Sequence, residues 1–369
     1  MKTTQYLAVA CLLVLACGNE ESAEPLEDAS EISIDTLIVT DSIGVLMGDS
    51  CYMIGSIVSA EALPDGHVIL FDRSNGLIST YDEDGNFLFS FGGLGEAPGE
   101  FTLPGGMTVL NDGRIAVMDW MDREVCFFSA DGEYLGSRPN PGFEMPLSMT
   151  AAGDSCFVVY SCPTREIEDT YKMGYELNIW EGTSGEPRAT LFTHLFDFGQ
   201  EDYDFRPGYL TVTAGSDGSV YLYRMNSEDY LIEVYNLDGQ PTDTVSSEPV
   251  LIHSEDIERY IYIPVATFMV QDENGNGQQI SGEFTEFAPQ VENLGIDSLG
   301  NLWAQRGTTG EMMWDVFSPD GQIIRHVTLN AFPDTAMIHV EVNEHGIVAW
   351  DRFPEDYPRL YRLSFGENQ

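Results

Sequence analysis

Eight glycines set in four pairs confine this chain to a narrow group of folds. Gly66 and Gly85 stand 19 residues apart, as do Gly113 and Gly132; Gly218 and Gly239 stand 21 apart, as do Gly300 and Gly321. All but Gly300 follow an aspartate. Asp-Gly is a strong hairpin signal, because two-residue primed turns need positive φ and glycine adopts it without steric cost. Each pair therefore predicts two hairpins, and a spacing that holds from pair to pair is the mark of a repeated unit.

The segments after the first turn of each unit agree. His67–Asp72, Arg114–Asp119, Ser155–Tyr160, Ser219–Arg224, Asn301–Arg306 and Gly346–Asp351 are short and rich in β-branched and aromatic residues, with only partial alternation. A second set follows at Leu77–Tyr81, Glu124–Phe128, Leu177–Trp180, Leu231–Tyr235, Met313–Phe317 and Leu360–Phe365. Six units of about four antiparallel strands, recurring every 40 or so residues, read as the blades of an all-β, six-bladed β-propeller. One blade cannot bury both of its faces, so the blades must stack around an axis. The last unit stops near Phe365, one strand short, while Glu31–Asp41 reads as a strand without a unit of its own. Pairing the two would close the ring and cover edges that otherwise recruit other chains. The propeller is thus expected over residues 31–369. A helical and loop insertion is expected at about 249–291, where Ser254-Glu255-Asp256 opens a short helix and Pro264 ends it.

The link Gly92-Gly93-Leu94-Gly95-Glu96-Ala97-Pro98-Gly99-Glu100-Phe101, followed by Pro104 and Asn111–Asp119, resembles the NHL repeat. From about residue 31 the chain resembles exported six-bladed propellers of the NHL/TolB-like kind, which often carry an insertion before a Gly-Asn-Leu-Trp strand, here Gly300–Trp303. The resemblance implies the fold and says little about function, which resides in sites grafted onto folds.

The N-terminus carries an address. Lys2 precedes an apolar run from Tyr6 to Ala16, too short to span a bilayer, and small residues follow. This describes an export signal over residues 1–16. Leu13-Val14-Leu15-Ala16-Cys17-Gly18 resembles the lipobox of bacterial lipoproteins, which implies acylation of Cys17. Gly18, where aspartate would imply inner-membrane retention, points to the outer membrane. Residues 17–30 then form a lipidated, acidic tether, and the acyl chains are the expected membrane contact. The net charge of −45, with Lys2 and Lys172 the only lysines, disfavours nucleic acid as a partner. Export permits disulfides among Cys51, Cys126, Cys156 and Cys162. The sequence leaves their pairing open, except that one straight strand holding both Cys156 and Cys162 would keep them apart.

Candidate chemistry is sparse. Asp272–Glu283 has EF-hand-like spacing, with Asp272, Asn274, Asn276, Gln278 and Glu283 offering oxygens and Gly277 at the sixth position. Gln279 replaces the usual apolar residue, and no second hand follows. The alternative is a polar surface loop, and no cofactor is required. Asp72, Asp119 and Asp351 end equivalent strands, where they could hold a metal near the axis or cap loops through the backbone; capping is the favoured reading. The six histidines form no HxH or HExxH motif. The expectation is a binding or scaffold module at the cell envelope for a protein, peptide or glycan. The alternative is a calcium-dependent, lactonase-like hydrolase of six-bladed type.

Overall fold

A computed structural model describes residues 32–139, 144–167, 170–182, 186–197, 209–225, 229–249, 268–271, 277–280, 289–307, 312–333 and 336–366. The expected signal and tether (1–30), with Cys17, lie outside these residues.

Six four-stranded antiparallel units follow one another along the chain. The first is β2 (Ile57–Ala62), β3 (Val68–Asp72), β4 (Leu77–Tyr81) and β5 (Phe87–Gly92). The second is β6 (Pro104–Val109), β7 (Ile115–Asp119), β8 (Glu124–Phe128) and β9 (Tyr134–Pro139). The third is β10 (Glu144–Ala152), β11 (Cys156–Ile167), β12 (Thr170–Glu181) and β13 (Ala189–Asp197). The fourth is β14 (Leu210–Ala214), β15 (Val220–Arg224), β16 (Leu231–Tyr235) and β17 (Pro241–Ser246). The fifth is β20 (Val291–Ile296), β21 (Leu302–Arg306), β22 (Met312–Phe317) and β23 (Ile323–Leu329). The sixth takes β24 (Ile338–Asn343), β25 (Gly346–Asp351) and β26 (Leu360–Phe365) from the C-terminal end and β1 (Ser33–Ile43) from the N-terminal end.

The second strand of each blade explains the weak alternation in the sequence. All five residues of β3 and all five of β7 are buried. A strand covered on both faces by neighbouring blades has no solvent face to mark with polar residues. The outer strand β5, by contrast, alternates half-buried and exposed side chains from Phe87 to Phe91.

The turns correct one expectation. The Asp-Gly doublets do not form two-residue primed turns. Each of the eight glycines has φ between 75° and 85° and donates its N–H to the carbonyl three residues back, as Gly66 does to Leu63 and Gly321 to Ser318. The aspartate stays at negative φ. This is a type I turn closed by a left-handed glycine, which forms a G1 bulge.

Closure goes beyond the expected strand exchange. Leu37–Ile43 of β1 pairs antiparallel with β26, with a bulge between Val39 and Asp41, while Ser33–Leu37 pairs parallel with Arg325–Leu329 of β23. One N-terminal strand therefore joins blades five and six into a continuous eight-stranded sheet. Blade six meets blade one by packing: Ile43, Val348, Trp350 and Leu360 lie against Ala60, Val68, Leu70 and Tyr81.

Blade three is longer than its neighbours. Its two middle strands have 12 residues each, against 5 in blades one, two and four. The β11–β12 ladder skips Cys162 and Pro163, where proline supplies no N–H, and resumes at Thr164–Met173. Among the described residues the only helix is the 3-10 turn Ser50–Tyr52, and no helix is long and apolar enough to cross a membrane. The helix expected from Ser254 lies outside the described residues. What is described of the insertion is a hairpin, β18 (Phe268–Gln271) with β19 (Gly277–Ile280).

Candidate functional site

The first strand of each blade faces the ring axis with alternate residues, since strand side chains alternate at a period of two. Five of these strands place a residue toward the axis five positions before their turn glycine. These residues are Glu61, Thr108, Thr213, Gly295 and Glu341, and the shorter turn of blade three puts Ala151 in register with them. All of them but Gly295 line an axial pocket of about 80 Å³, to which blade five contributes the next residue, Ile296, so that all six blades take part. Gly295 is required by close approach, because a Cβ there would lie 2.6 Å from Cβ of Val342 on blade six.

Two carboxylates dominate the pocket. Glu61 accepts from the Val109 N–H at 3.2 and 3.3 Å. Burial, reinforced by repulsion from Glu341, pushes its pKa up to about 8, against the opposing pull of the Val109 N–H and the Thr108 hydroxyl. Burial takes Glu341 to about 8 as well. Glu341, which lines the pocket, nonetheless keeps 31% of its side-chain surface open.

Behind Glu341 runs a chain of polar groups. Arg352 Nη2 lies 2.7 Å from His339 Nδ1. A guanidinium can only donate, so Nδ1 accepts and the neutral ring carries its proton on Nε2. His339 Nε2 then donates to Glu341 Oε2 at 3.4 Å. Burial, aided by the Arg352 charge, lowers the His339 pKa to about 3, consistent with this neutral tautomer. Glu292, at the start of β20, is raised to about 7 by burial, opposed by Arg352, and accepts from Gln305 Nε2 at 3.1 Å.

The residues singled out from sequence lie elsewhere. Asp72 accepts from the N–H groups of Gly55, Ser56 and Ser74 and from the Ser74 hydroxyl. Asp119 accepts from Thr102, Leu103, Met121 and Asp122. Asp351 accepts from Met337 and Phe353. Each carboxylate holds the loops at the far end of its own blade. Among the described residues no three His, Cys, Asp or Glu side chains gather as a metal-ligand cluster. Of the calcium-loop candidates, Asp272, Asn274, Asn276 and Glu283 lie outside the described residues; Gln278 is on β19, opposite Val270. Cys51, Cys126, Cys156 and Cys162 are free thiols, the last two on the single strand β11.

Sequence reasoning did not find Glu61, Glu341, Glu292, His339 or Arg352. One signal was available. Glu61 and Glu341 are acids inside apolar strands, and both stand five residues before a turn glycine.

Six four-stranded units, one of them completed by the N-terminal strand, close around a common pocket. This chain is a six-bladed β-propeller. Residues 48–173 match the model of the DUF5128 family, described as a 6-bladed beta-propeller. The match contains the glycine-rich link and the first NHL-like repeat. Among solved structures, an exported protein from Bacteroides fragilis is similar at 14% identity and a TM-score of 0.48, with 91% of this chain and all of that one covered. A member of the duf4221 family from Bacteroides vulgatus is similar at 12% identity and a TM-score of 0.49, with 90% and 98% covered. The calcium-binding protein regucalcin from Agrobacterium tumefaciens is similar at 10% identity and a TM-score of 0.46, with 90% and 96% covered. Likenesses at these scores carry no argument about function. No curated protein matches the chain by sequence.

Proposed function

We propose that this propeller is a binding module held at the cell envelope by acyl chains on Cys17, and that it receives part of a protein, peptide or glycan in its axial pocket. The observation behind this reading is the convergence of all six first strands on one polar cavity containing two carboxylates. At about 80 Å³ the cavity has room for one functional group rather than a whole molecule. A large partner would therefore rest on the ring face and insert a single head group.

Two experiments test the parts separately. Cys17→Ser should move the protein from the membrane fraction to the soluble one; a variant that stays as firmly membrane-bound as the parent refutes the anchor. A photo-crosslinking residue at Asn111 or His345, both lining the pocket, should capture a partner in intact cells. The same residue at exposed Ile324 on the outer strand β23 should not. Equal capture from both places, or none from the pocket, would remove the axial pocket as the recognition point.

A further inference from the structure

We propose that the axial pocket takes a single ammonium group, such as the end of a lysine side chain or another primary amine, held between Glu61 and Glu341. This rests on the binding-module reading above and names the chemistry of its ligand.

The argument is a tally of donors and acceptors. The pocket is lined by two side-chain amides that could donate, and both are turned away from it. Asn111 Nδ2 donates to the Gly153 carbonyl at 2.6 Å, and Asn343 Nδ2 to the Ala62 carbonyl at 3.0 Å. What remains is a set of groups that can accept, the hydroxyls among them able to donate as well. Glu61 and Glu341 contribute carboxyl oxygens. The Ser59 hydroxyl oxygen, also in the lining, is sealed from solvent and has no hydrogen-bond partner. Thr213, only 6% exposed, also lines the pocket with a hydroxyl that can accept. A hydroxyl left unpartnered in a buried site is costly, and a donor brought in by a ligand would relieve Ser59 once its side chain turns toward the pocket. An ammonium supplies three donors on one compact atom, and its single charge is balanced by one carboxylate while the second carboxyl accepts a hydrogen bond.

Competing ligand classes fit less well. An anion would face Glu61, Glu341 and, at the rim, Glu344. A bound calcium ion needs six to eight oxygens, several of them charged. No three carboxylate, histidine or cysteine side chains gather among the described residues.

Binding is then linked to pH. Glu61 is faced by Glu341 from β24 and by Thr108 and Val109 from β6. Glu341 is faced by Glu61 from β2 and by His339 on its own strand, with Arg352 and Glu292 beyond, while Glu344 and His345 stand at the turn. Without ligand, burial keeps both pocket carboxyls largely protonated at neutral pH. An ammonium is held best when one of the two is ionised, so its binding releases one proton and tightens as pH rises toward 8. Release of one proton strengthens binding about tenfold per pH unit below the carboxyl pKa.

The test uses the full-length protein with ¹³C-methyl-labelled methionine, because Met107 and Met149 line the pocket and report on it locally. The probes are n-butylammonium, its neutral analogue 1-butanol, butyrate and calcium chloride, each titrated at pH 6, 7 and 8. Butylammonium should shift the Met107 and Met149 signals saturably, with affinity rising up to about tenfold per pH unit. The effect should persist in 1 M NaCl, where the Debye length is about 3 Å and attraction to the acidic surface is screened. It should weaken at least tenfold in Glu61→Gln/Glu341→Gln and measurably in Thr213→Val. If butanol, butyrate or calcium shifts the same signals as strongly as butylammonium, or if the double variant binds butylammonium unchanged, the ammonium assignment is overturned. The axial pocket then survives as a binding site of other chemistry. If no probe moves either methionine, the axial-pocket reading falls with it.

Discussion

Leu37 is the residue on which ring closure turns, and replacing it measures how much closure contributes. It is the last β1 residue paired with β23, opposite Leu329, and the first paired with β26, opposite Phe365. Its side chain is 1% exposed and belongs to a cluster with Trp303, Trp314, Val327, Leu329, Val340 and Leu363, drawn from both blades that β1 joins. Leu→Ala in a packed core costs about 2–5 kcal/mol, rising with the cavity left behind. Two large indoles and a rigid β-sheet frame leave little room for collapse, so Leu37→Ala should fall in the upper half, at ~3–5 kcal/mol. With a urea m-value near ~3 kcal/mol/M, the midpoint drops by ~1–1.7 M. The assay is equilibrium urea unfolding followed by tryptophan fluorescence. The control is Ile38→Ala, the adjacent residue on the same strand, whose side chain is 44% exposed. It loses mainly β-propensity and should cost about 1 kcal/mol or less. If Leu37→Ala costs under 1 kcal/mol, or if both variants cost the same, β1 is not locked between the two blades. Deleting residues 31–41 should additionally lower solubility by baring the edges of β23 and β26. Deleting residues 18–30 should leave both solubility and midpoint unchanged.

Asp119 holds four backbone N–H groups while 1% exposed, so Asp119→Ala should cost about 3 kcal/mol in urea unfolding and Asp119→Asn clearly less; a loss under 1 kcal/mol for the alanine would sink that account. Asp315 is fully buried and accepts from Arg306 at 2.7 Å and from the Tyr230 hydroxyl at 2.9 Å, with His326 Nδ1 at 2.6 Å. Asp315→Asn removes the carboxylate from a half-buried Arg306, 22% exposed, and should cost ~2–3 kcal/mol, measured the same way, with a neutral result as the refutation. Glu341 has a folded pKa of about 8, above its unfolded value, so the folded state holds the proton that the unfolded state releases. Its presence therefore lowers stability progressively from about pH 4.5 to pH 8 and adds no further slope above that. Glu341→Gln should match the parent near pH 4.5 and exceed it increasingly up to pH 8; a pH-independent difference would show that burial does not govern this group.

The blades were legible because their signals are local. A second strand buried on both faces must be apolar throughout, and a glycine at positive φ must close each tight turn. The Asp-Gly doublet located the turns but misstated their geometry: the same residues serve a type I turn with a bulge as readily as a primed turn. The spare strand at one end and the missing one at the other gave the exchange between β1 and β26 by count. The parallel pairing with β23 left no such trace. The extension of blade three was hidden by Pro163, which argues against a strand interior until the ladder is seen to skip it.

The axial pocket was illegible for a different reason. A lone glutamate in a strand reads locally as the solvent side of an alternating pattern. Whether that side faces water or the axis depends on contacts such as Asn343 to Ala62, which spans 281 residues and exists only when the ring is closed. Comparison among the blades separates the two kinds of position. In blades one, two and six, the end of the second strand carries aspartates that hold loops. At the same register Arg224 pairs with Glu233 and Arg306 with Asp315 in blades four and five, another ionic solution to the same place. The axial register carries Glu, Thr, Ala, Thr, Gly and Glu in blade order. Only the glycine there answers a demand of packing, set by the approach of Val342. A register at which the fold prescribes so little, yet which carries two carboxylates despite the cost of burying them, is where the proposed recognition of an amine would account for residues that packing does not.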